Sequence, residues 1–248
     1  MHSIYHCTVH KAASTWFRDL FRHPAFLRNH PLPVYHYETD LKRQVYENYT
    51  KQTLVRMPHP AIVSNIYCDY KSFLQHQKTE DYKGFYFYKD PREIIVSTYW
   101  SWGKNHIGGH PNREKIASLS FEDGLMWTID ELGDRLGKFD AMRSWMEDCD
   151  DERIKFYNSE LFFTEDWTTN LLDLFEWIDV SVPYQDFEIL SETFSFEKLS
   201  GGRVKGEEQK DSHFRTGKTG TWREMPDSVL DYYYDKTSNL TELLGYER

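Results

Sequence analysis

A loop near the start of the chain carries side chains suited to holding an anion. Lys11 follows a short apolar stretch, and Ser14 and Thr15 precede a segment with helical periodicity. The pattern predicts a buried strand, a tight loop and a helix that opens near the two hydroxyl residues, which can cap it. A helix start offers backbone N–H groups and a positive dipole end. We therefore expect a phosphate or sulfate site here.

The same loop lacks the hallmarks of the common nucleotide-binding loop. Residues 10–16 are HKAASTW, with Lys11 before the turn and Trp16 just after it. The glycines and the closing Gly-Lys-Ser/Thr of a Walker A motif are missing. An ordinary strand–loop–helix with a surface lysine is the alternative interpretation.

A second polar turn follows an aromatic strand predicted over residues 84–88. Lys89 and Asp90 come next, and Pro91 leads into a helix predicted over residues 93–102. Asp90 suits the cap of that helix and the proline suits its first turn. Two strand–turn–helix units predict a parallel sheet with helices packed on it.

The remaining periodicity completes an α/β pattern in one predicted domain, residues 1–248. Further strands are predicted over 4–9, 34–38, 61–67 and 153–157, and further helices over 70–77, 121–136, 138–149, 167–178, 186–199 and 226–244. His36 and Glu38 are two residues apart and would share one face of their strand. The polar, glycine-rich residues 201–221 are either a flexible surface loop or a lid that brings cations to an anionic ligand.

Composition narrows the class of protein. The chain has 248 residues, 39% hydrophobic and 17% aromatic, which is enough for a large core. A net charge of −10 argues against a general nucleic-acid binder. The three cysteines are scattered and form no disulfide or zinc pattern. With no signal peptide and no apolar run long enough for a membrane span, we expect a cytoplasmic protein.

Four separated segments resemble the donor-binding motifs of sulfotransferases, in the family's order. Residues 10–16 resemble the 5′-phosphosulfate loop, usually P-K-S-G-T-T-W, and residues 89–97 (KDPREIIVS) resemble R-N/D-P-K/R-D-x-x-V-S. Residues 194–199 (FSFEKL) resemble the T/S-S-F segment, and residues 215–222 (RTGKTGTW) resemble R-K-G-x-x-G-x-W. The resemblance implies a three-layer, P-loop NTPase-like fold with a central parallel sheet flanked by helices.

The resemblance also implies the donor, 3′-phosphoadenosine 5′-phosphosulfate (PAPS), whose product is PAP. Its 5′-phosphosulfate would be held by Lys11, Ala12, Ala13, Ser14 and Thr15. The 3′-phosphate would be held by Lys89, Ser97, Arg215, Thr216 and Gly217. The adenine would lie by Ser195, with Trp16 and Phe196 on its two sides. Lys89 stands where the family has arginine, and a lysine keeps the charge but loses the bidentate fork.

Sulfuryl transfer needs in-line geometry and charge stabilisation, with Lys11 neutralising the leaving oxygen. It also needs a base to accept the proton of the acceptor hydroxyl. The family's usual histidine position is empty in residues 64–67. A glutamate on the second strand serves other branches, which implies Glu38 as the base, with His36 as the runner-up and His59 third.

We therefore predict an enzyme that transfers a sulfuryl group from PAPS to a hydroxyl of a small-molecule, lipid or sugar-like acceptor by direct in-line displacement. Residues 36–70 and 103–140, rich in Tyr, Trp and His, are expected to line the acceptor pocket. No metal, nucleic-acid partner or membrane segment is expected. A P-loop kinase of small molecules and a non-catalytic nucleotide-binding regulatory module are the alternatives.

Overall fold

Five parallel strands form one sheet. The computed structural model describes residues 2–42, 47–105, 110–207, 209 and 217–248. The strands are β1 (Ser3–Thr8), β2 (Val34–His36), β3 (Ile62–Ile66), β4 (Tyr82–Tyr88) and β5 (Ile154–Asn158). They lie in the order β2-β3-β1-β4-β5, and every neighbouring pair is parallel. The predicted parallel sheet is confirmed.

Helices fill most connections between the strands. They are α1 (Ser14–Arg22), α2 (Pro24–Leu27), α3 (Tyr70–Gln75), α4 (Pro91–Trp100), α5 (Arg113–Ala117), α6 (Phe121–Asp130), α7 (Lys138–Asp148), α8 (Ser159–Phe162), α9 (Trp167–Trp177), α10 (Tyr184–Thr193), α11 (Phe196–Leu199), α12 (Asp227–Thr237) and α13 (Leu240–Leu243). Single π-helical turns occupy Tyr37–Leu41, Ser101–Asn105 and Glu131–Arg135, and a 3₁₀ turn occupies Thr221–Glu224.

The chain divides into two compact units. The first comprises Met1–Lys89 and Asp140–Phe194 and contains the whole sheet. The second comprises Asp90–Phe139 and Ser195–Arg248 and contains α4, α6 and α12. The prediction of a single domain over residues 1–248 stays a prediction.

Helices cover both faces of the sheet within the first unit. On one face, Phe17 of α1 packs against His6 and Phe85, with ring centroids 4.6 and 5.3 Å apart. On the other face, Trp145 of α7 stacks on Tyr86 at 4.7 Å. Successive side chains of a strand point to opposite faces of the sheet. Because helices cover both faces, β1 is buried along its whole length. This layering confirms the predicted helix–sheet–helix architecture.

The second strand is shorter than predicted. It was expected over residues 34–38, but β2 ends at His36 and the chain enters a π-helical turn. The carboxylate of Asp40 accepts the backbone N–H of His36 at 2.7 Å, and the His36 ring accepts the N–H of Thr39 at 3.4 Å. These local bonds replace the next sheet bonds. Glu38 therefore lies in the turn, and the expectation that it shares a strand face with His36 is wrong.

Two predicted helices are each divided in two. The helix expected over residues 186–199 is broken before α11, because the Ser195 hydroxyl accepts the N–H of Lys198 at 3.2 Å and starts a new helix. The helix expected over residues 226–244 is broken at Ser238, whose φ of 53° cannot continue it. The ends of the strands other than β2 lie within two residues of their predicted positions.

Candidate active site

The loop after β1 bends through two left-handed residues. Lys11 has a φ of 75° and Ala13 a φ of 53°, and the N–H of Ala12 donates to the Val9 carbonyl at 3.2 Å. A non-glycine residue in this conformation costs about 1–2 kcal/mol. The surrounding fold must supply that energy, and such strain is typical of ligand-binding loops.

Helix α1 begins without a side-chain cap from any described residue. Its N-cap is Ala13, which has no polar side-chain atom, and Ser14 and Thr15 are its first two residues. The prediction that the two hydroxyls cap the helix is therefore wrong, because a cap residue precedes the first turn and is non-helical. Both hydroxyls instead lie half-buried at the helix start, beside its first N–H groups.

Lys11 is the cation of this loop. Its side chain is only partly exposed, and burial lowers the pKa of its ammonium group to about 8. The positive charge of Lys89, in the same unit, lowers that pKa further. The positive charges of Lys11 and Lys89 repel each other. A multivalent anion bound by both side chains would offset this repulsion.

Trp16 lies at the start of α1 among other aromatic rings. Only 8% of its surface is exposed, and its indole N–H donates to the Phe194 carbonyl at 2.9 Å. The rings of Phe163, Phe194 and Trp167 meet it edge-on, with centroids 5.3, 5.5 and 6.0 Å away. Trp16 thus fixes the position of the helix start, and its predicted contact with an adenine stays a prediction.

Glu38 is brought to the same loop, although it is not on the strand. It is 5% exposed, and its Oε2 lies 3.4 Å from Nε2 of His10, the residue before Lys11. The sequence interpretation did not select His10 as a site residue. The signal was present: a histidine stands where the family's loop has proline.

The two histidine candidates lie in different surroundings. His36 is 8% exposed, its ring accepts the Thr39 N–H, and burial lowers the pKa of its imidazole. Nδ1 of His59 forms a hydrogen bond of 2.9 Å with the hydroxyl of Ser3, the first residue of β1. Because the loop leaves the last residue of β1, His59 lies at the opposite end of the sheet.

In the second unit, side chains at the start of α4 form hydrogen bonds with one another and with nearby backbone N–H groups. The Asp90 carboxylate accepts the backbone N–H of Arg92 at 2.9 Å and pairs with the guanidinium at 3.0 and 2.7 Å. That guanidinium lies 3.8 Å from the ring centre of Trp222. Glu93 accepts the Thr221 hydroxyl at 2.6 Å and the Trp222 N–H at 3.1 Å. These contacts hold the 3₁₀ turn against α4, the helix that carries the half-buried Ser97.

The remaining predicted donor residues belong to the second unit. Ser195 caps α11, and the next residue, Phe196, packs against Gly217. A Cβ atom on Gly217 would lie 2.3 Å from the Phe196 ring, and its φ is 63°, so glycine suits this position on both counts. Arg215 and Thr216 lie outside the described residues.

Two absences hold for the part of the chain that the structure describes. There, no group of three or more His, Cys, Asp and Glu side chains is arranged to hold a metal ion. Across the same residues, none of the helices has the length and apolar character needed to cross a membrane.

Comparison with solved structures finds the same fold at low identity. Mouse sulfotransferase SULT7A1 complexed with PAP superposes with a TM-score of 0.66 at 15% identity, covering 98% of this chain and 87% of that one. Two complexes of retinol dehydratase are also similar, each with 99% of this chain and 82% of that one covered. Its complex with androsterone and inactive cofactor PAP gives 0.60 at 14% identity, and its complex with retinol and PAP gives 0.61 at 13%. No curated protein matches the sequence.

A family model settles the class of protein. The model described as "Sulfotransferase domain" matches residues 4–237, nearly the whole chain. The chain therefore belongs to the sulfotransferase family, and the predicted fold class and enzyme class are confirmed.

Proposed function

We propose that this protein transfers a sulfuryl group from PAPS to a hydroxyl of a small or lipid-like acceptor. One observation carries the proposal: the Glu38 carboxylate contacts His10, directly beside Lys11, at the carboxyl end of the parallel sheet. In sheets of this kind, ligands bind at the carboxyl ends of the strands. A cation for the leaving group and a carboxylate for the proton thus lie in neighbouring segments.

The β1–α1 loop suits the 5′-phosphosulfate of the donor. Its helix start has no side-chain cap among the described residues, two hydroxyls lie in its first turn, and Lys11 is a partly buried cation. Oriented N–H groups and a cation stabilise charge that develops on a leaving phosphate oxygen. Ala12 and Ala13 would contribute through the backbone. PAP in the solved complexes of similar fold supports the choice of nucleotide.

The other donor contacts rest on the resemblance. Lys89 adds a second cation in the first unit. Ser97, Arg215, Thr216 and Gly217 are proposed for the 3′-phosphate, and Ser195, Phe196 and Trp16 for the adenine. Retention of the serine, the aromatic residue and the glycine in the family's order favours this assignment.

In the proposed reaction the acceptor oxygen attacks the sulfur, and the bond between sulfur and the 5′-phosphate oxygen breaks. The acceptor proton passes to Glu38, and PAP leaves with its new charge facing Lys11. His36 remains the runner-up base. Nδ1 of its ring already accepts the Thr39 N–H, which favours an orienting role for His36.

The acceptor class and the location complete the proposal. The retinol dehydratase complexes contain androsterone and retinol, so a lipid-like alcohol is the first acceptor class to test. The cytoplasm is proposed because Cys7, Cys68 and Cys149 are all free thiols.

The test compares two nucleotides and then looks for turnover. PAP should raise the melting temperature through mass action, while adenosine 5′-phosphosulfate, which lacks the 3′-phosphate, should raise it far less. Equal shifts would contradict the 3′-phosphate assignment. With PAPS and a panel of sterol, retinoid, phenol and sugar alcohols, mass spectrometry should detect the addition of one sulfo group. Nucleotide binding without any turnover would favour the regulatory-module alternative.

A further inference from the structure

We propose that His10 is a positioning residue that holds the Glu38 carboxylate in place, and that Tyr49 fixes the tautomer in which it does so. The inference rests on the proposed function, in which Glu38 accepts the proton of the acceptor. It concerns a residue that lies outside the family's loop pattern, since that pattern has proline at this position.

The contacts form a chain from Tyr49 to Glu38. The Tyr49 hydroxyl accepts the backbone N–H of His10 at 3.2 Å and forms a hydrogen bond with Nδ1 of its ring. The other ring nitrogen, Nε2, lies 3.4 Å from Oε2 of Glu38. The ring of Tyr67 stacks on the imidazole, with centroids 3.8 Å apart and planes 14° from parallel. Tyr49, Tyr67 and Glu38 are 2%, 4% and 5% exposed, so water competes weakly for these bonds.

The direction of the hydrogen bonds follows from Tyr49. Its oxygen already accepts a backbone N–H, and burial raises the pKa of its hydroxyl well above the ordinary value. The hydroxyl therefore stays protonated, and its O–H donates a hydrogen bond to Nδ1 of His10. A neutral imidazole that accepts at Nδ1 carries its own proton on Nε2. That Nε2–H points to Glu38 and donates to the carboxylate.

The stack on Tyr67 holds the ring plane, and the two nitrogens set the direction of the bond to Glu38. A residue that served packing alone would need only the ring. We therefore expect that loss of the two ring nitrogens would leave the loop folded but would no longer hold the Glu38 carboxylate in one position. A misplaced catalytic group costs roughly tenfold to a hundredfold in rate.

The first arm of the test reports on the free protein and needs no acceptor. Long-range ¹H–¹⁵N spectra of histidine-labelled protein identify His10 by its absence in His10→Phe. The wild type should show the neutral tautomer with the proton on Nε2. In Tyr49→Phe, which loses the donor to Nδ1, the population with the proton on Nδ1 should rise. A wild-type His10 with its proton on Nδ1, or an unchanged tautomer in Tyr49→Phe, would overturn the proposal.

The second arm measures transfer with PAPS and whichever alcohol of the panel gives turnover. His10→Phe keeps the ring and removes both nitrogens, so its single-turnover rate should fall roughly tenfold to a hundredfold while the thermal shift with PAP is kept. His10→Gln, whose amide can donate to Glu38, should recover part of the rate. His2→Phe, at the amino end of β1, is the matched control and should transfer at the wild-type rate. If His10→Phe does not fold, Tyr49→Phe takes its place, with a smaller loss expected.

The two arms separate this inference from the proposed function. Wild-type transfer that His10→Phe leaves unchanged would overturn the positioning role and leave the sulfotransferase assignment intact. A wild type that binds no PAP and transfers to no acceptor would overturn the proposed function, while the tautomer would still report whether His10 donates to Glu38.

Discussion

The helices α1 and α4 each follow a sheet strand, and their starts are built in opposite ways. Helix α4 begins after Asp90, whose carboxylate accepts the first-turn N–H of Arg92 and pairs with its guanidinium. Helix α1 begins after Ala13, whose side chain offers no acceptor, and the loop before it is left-handed at two non-glycine residues. At the start of α4 a neighbouring side chain accepts a first-turn N–H, whereas at the start of α1 no described side chain does so.

The difference indicates where an anion is expected. The carboxylate that already accepts an N–H at the start of α4 repels a second anion, whereas an uncapped helix start beside a cation attracts one. The 5′-phosphosulfate therefore suits α1, through backbone N–H groups and Lys11. A phosphate held by the segment that begins at Lys89 would depend on side chains, chiefly Lys89 and Ser97. We therefore expect substitutions at the start of α4 to change mainly the stability of the fold, and substitutions at the start of α1 to change mainly the transfer rate.

The largest effect is expected from Lys11→Ala. Removing the cation that we propose for the leaving oxygen should lower the single-turnover transfer rate by about a thousandfold. PAP affinity should fall much less, because the helix start remains. Lys83→Ala, in β4, is the control and should change neither. Turnover that survives with weakened PAP binding would make Lys11 a binding residue only.

Asp90→Ala should act on stability instead. Asp90 and Arg92 are 3% and 2% exposed, and removing one partner of a buried ion pair costs about 3–5 kcal/mol. Urea unfolding should show a loss of about that size. Glu147→Ala, which removes an exposed partner of Arg143, should cost less than about 1 kcal/mol. Equal losses in the two variants would show that the Asp90 pair is not a stabilising feature of this helix start.

Glu38→Gln tests the proton acceptor beside the uncapped start. The amide keeps the shape of the side chain but cannot accept the proton, so single-turnover transfer at saturating PAPS should fall by at least about a hundredfold. PAP binding should be nearly unchanged. His36→Asn should do less, because that ring caps the turn. A dead His36→Asn with a nearly normal Glu38→Gln would exchange the two roles.

The smallest effect concerns the strain at the uncapped start. Glycine adopts the left-handed conformation of Ala13 freely, and against this gain stands the larger entropy of a glycine-containing unfolded chain. The net result for Ala13→Gly should be a gain of about 0.5–1 kcal/mol in the free energy of unfolding by urea. Ala12→Gly is the matched control: Ala12 is buried and outside the left-handed region, so it should lose stability. Destabilisation in both variants would mean that the loop stores no strain at Ala13.

Sequence patterns sufficed for the elements whose signals are local. Alternating apolar residues and the Asp90-Pro91 start predicted the strands and α4, and the family motifs predicted the class of enzyme. The π-helical turn that carries Glu38 could not be predicted, because it depends on the side chain of Asp40 bonding back to a backbone N–H. The contacts of His10 with Glu38 and Tyr49 could not be predicted for a similar reason. Its partners Glu38 and Tyr49 are distant in sequence and meet it only in the folded chain.

The central claim is that the uncapped start of α1 receives the 5′-phosphate while the capped start of α4 does not. A crystal structure of the protein with PAP tests it directly. We expect the 5′-phosphate within hydrogen-bonding distance of the backbone N–H groups of residues 13–15 and of the Lys11 ammonium, with Asp90 still bonded to the N–H of Arg92. A 5′-phosphate bound away from Lys11, or one that displaces Asp90 from its helix, would contradict the account.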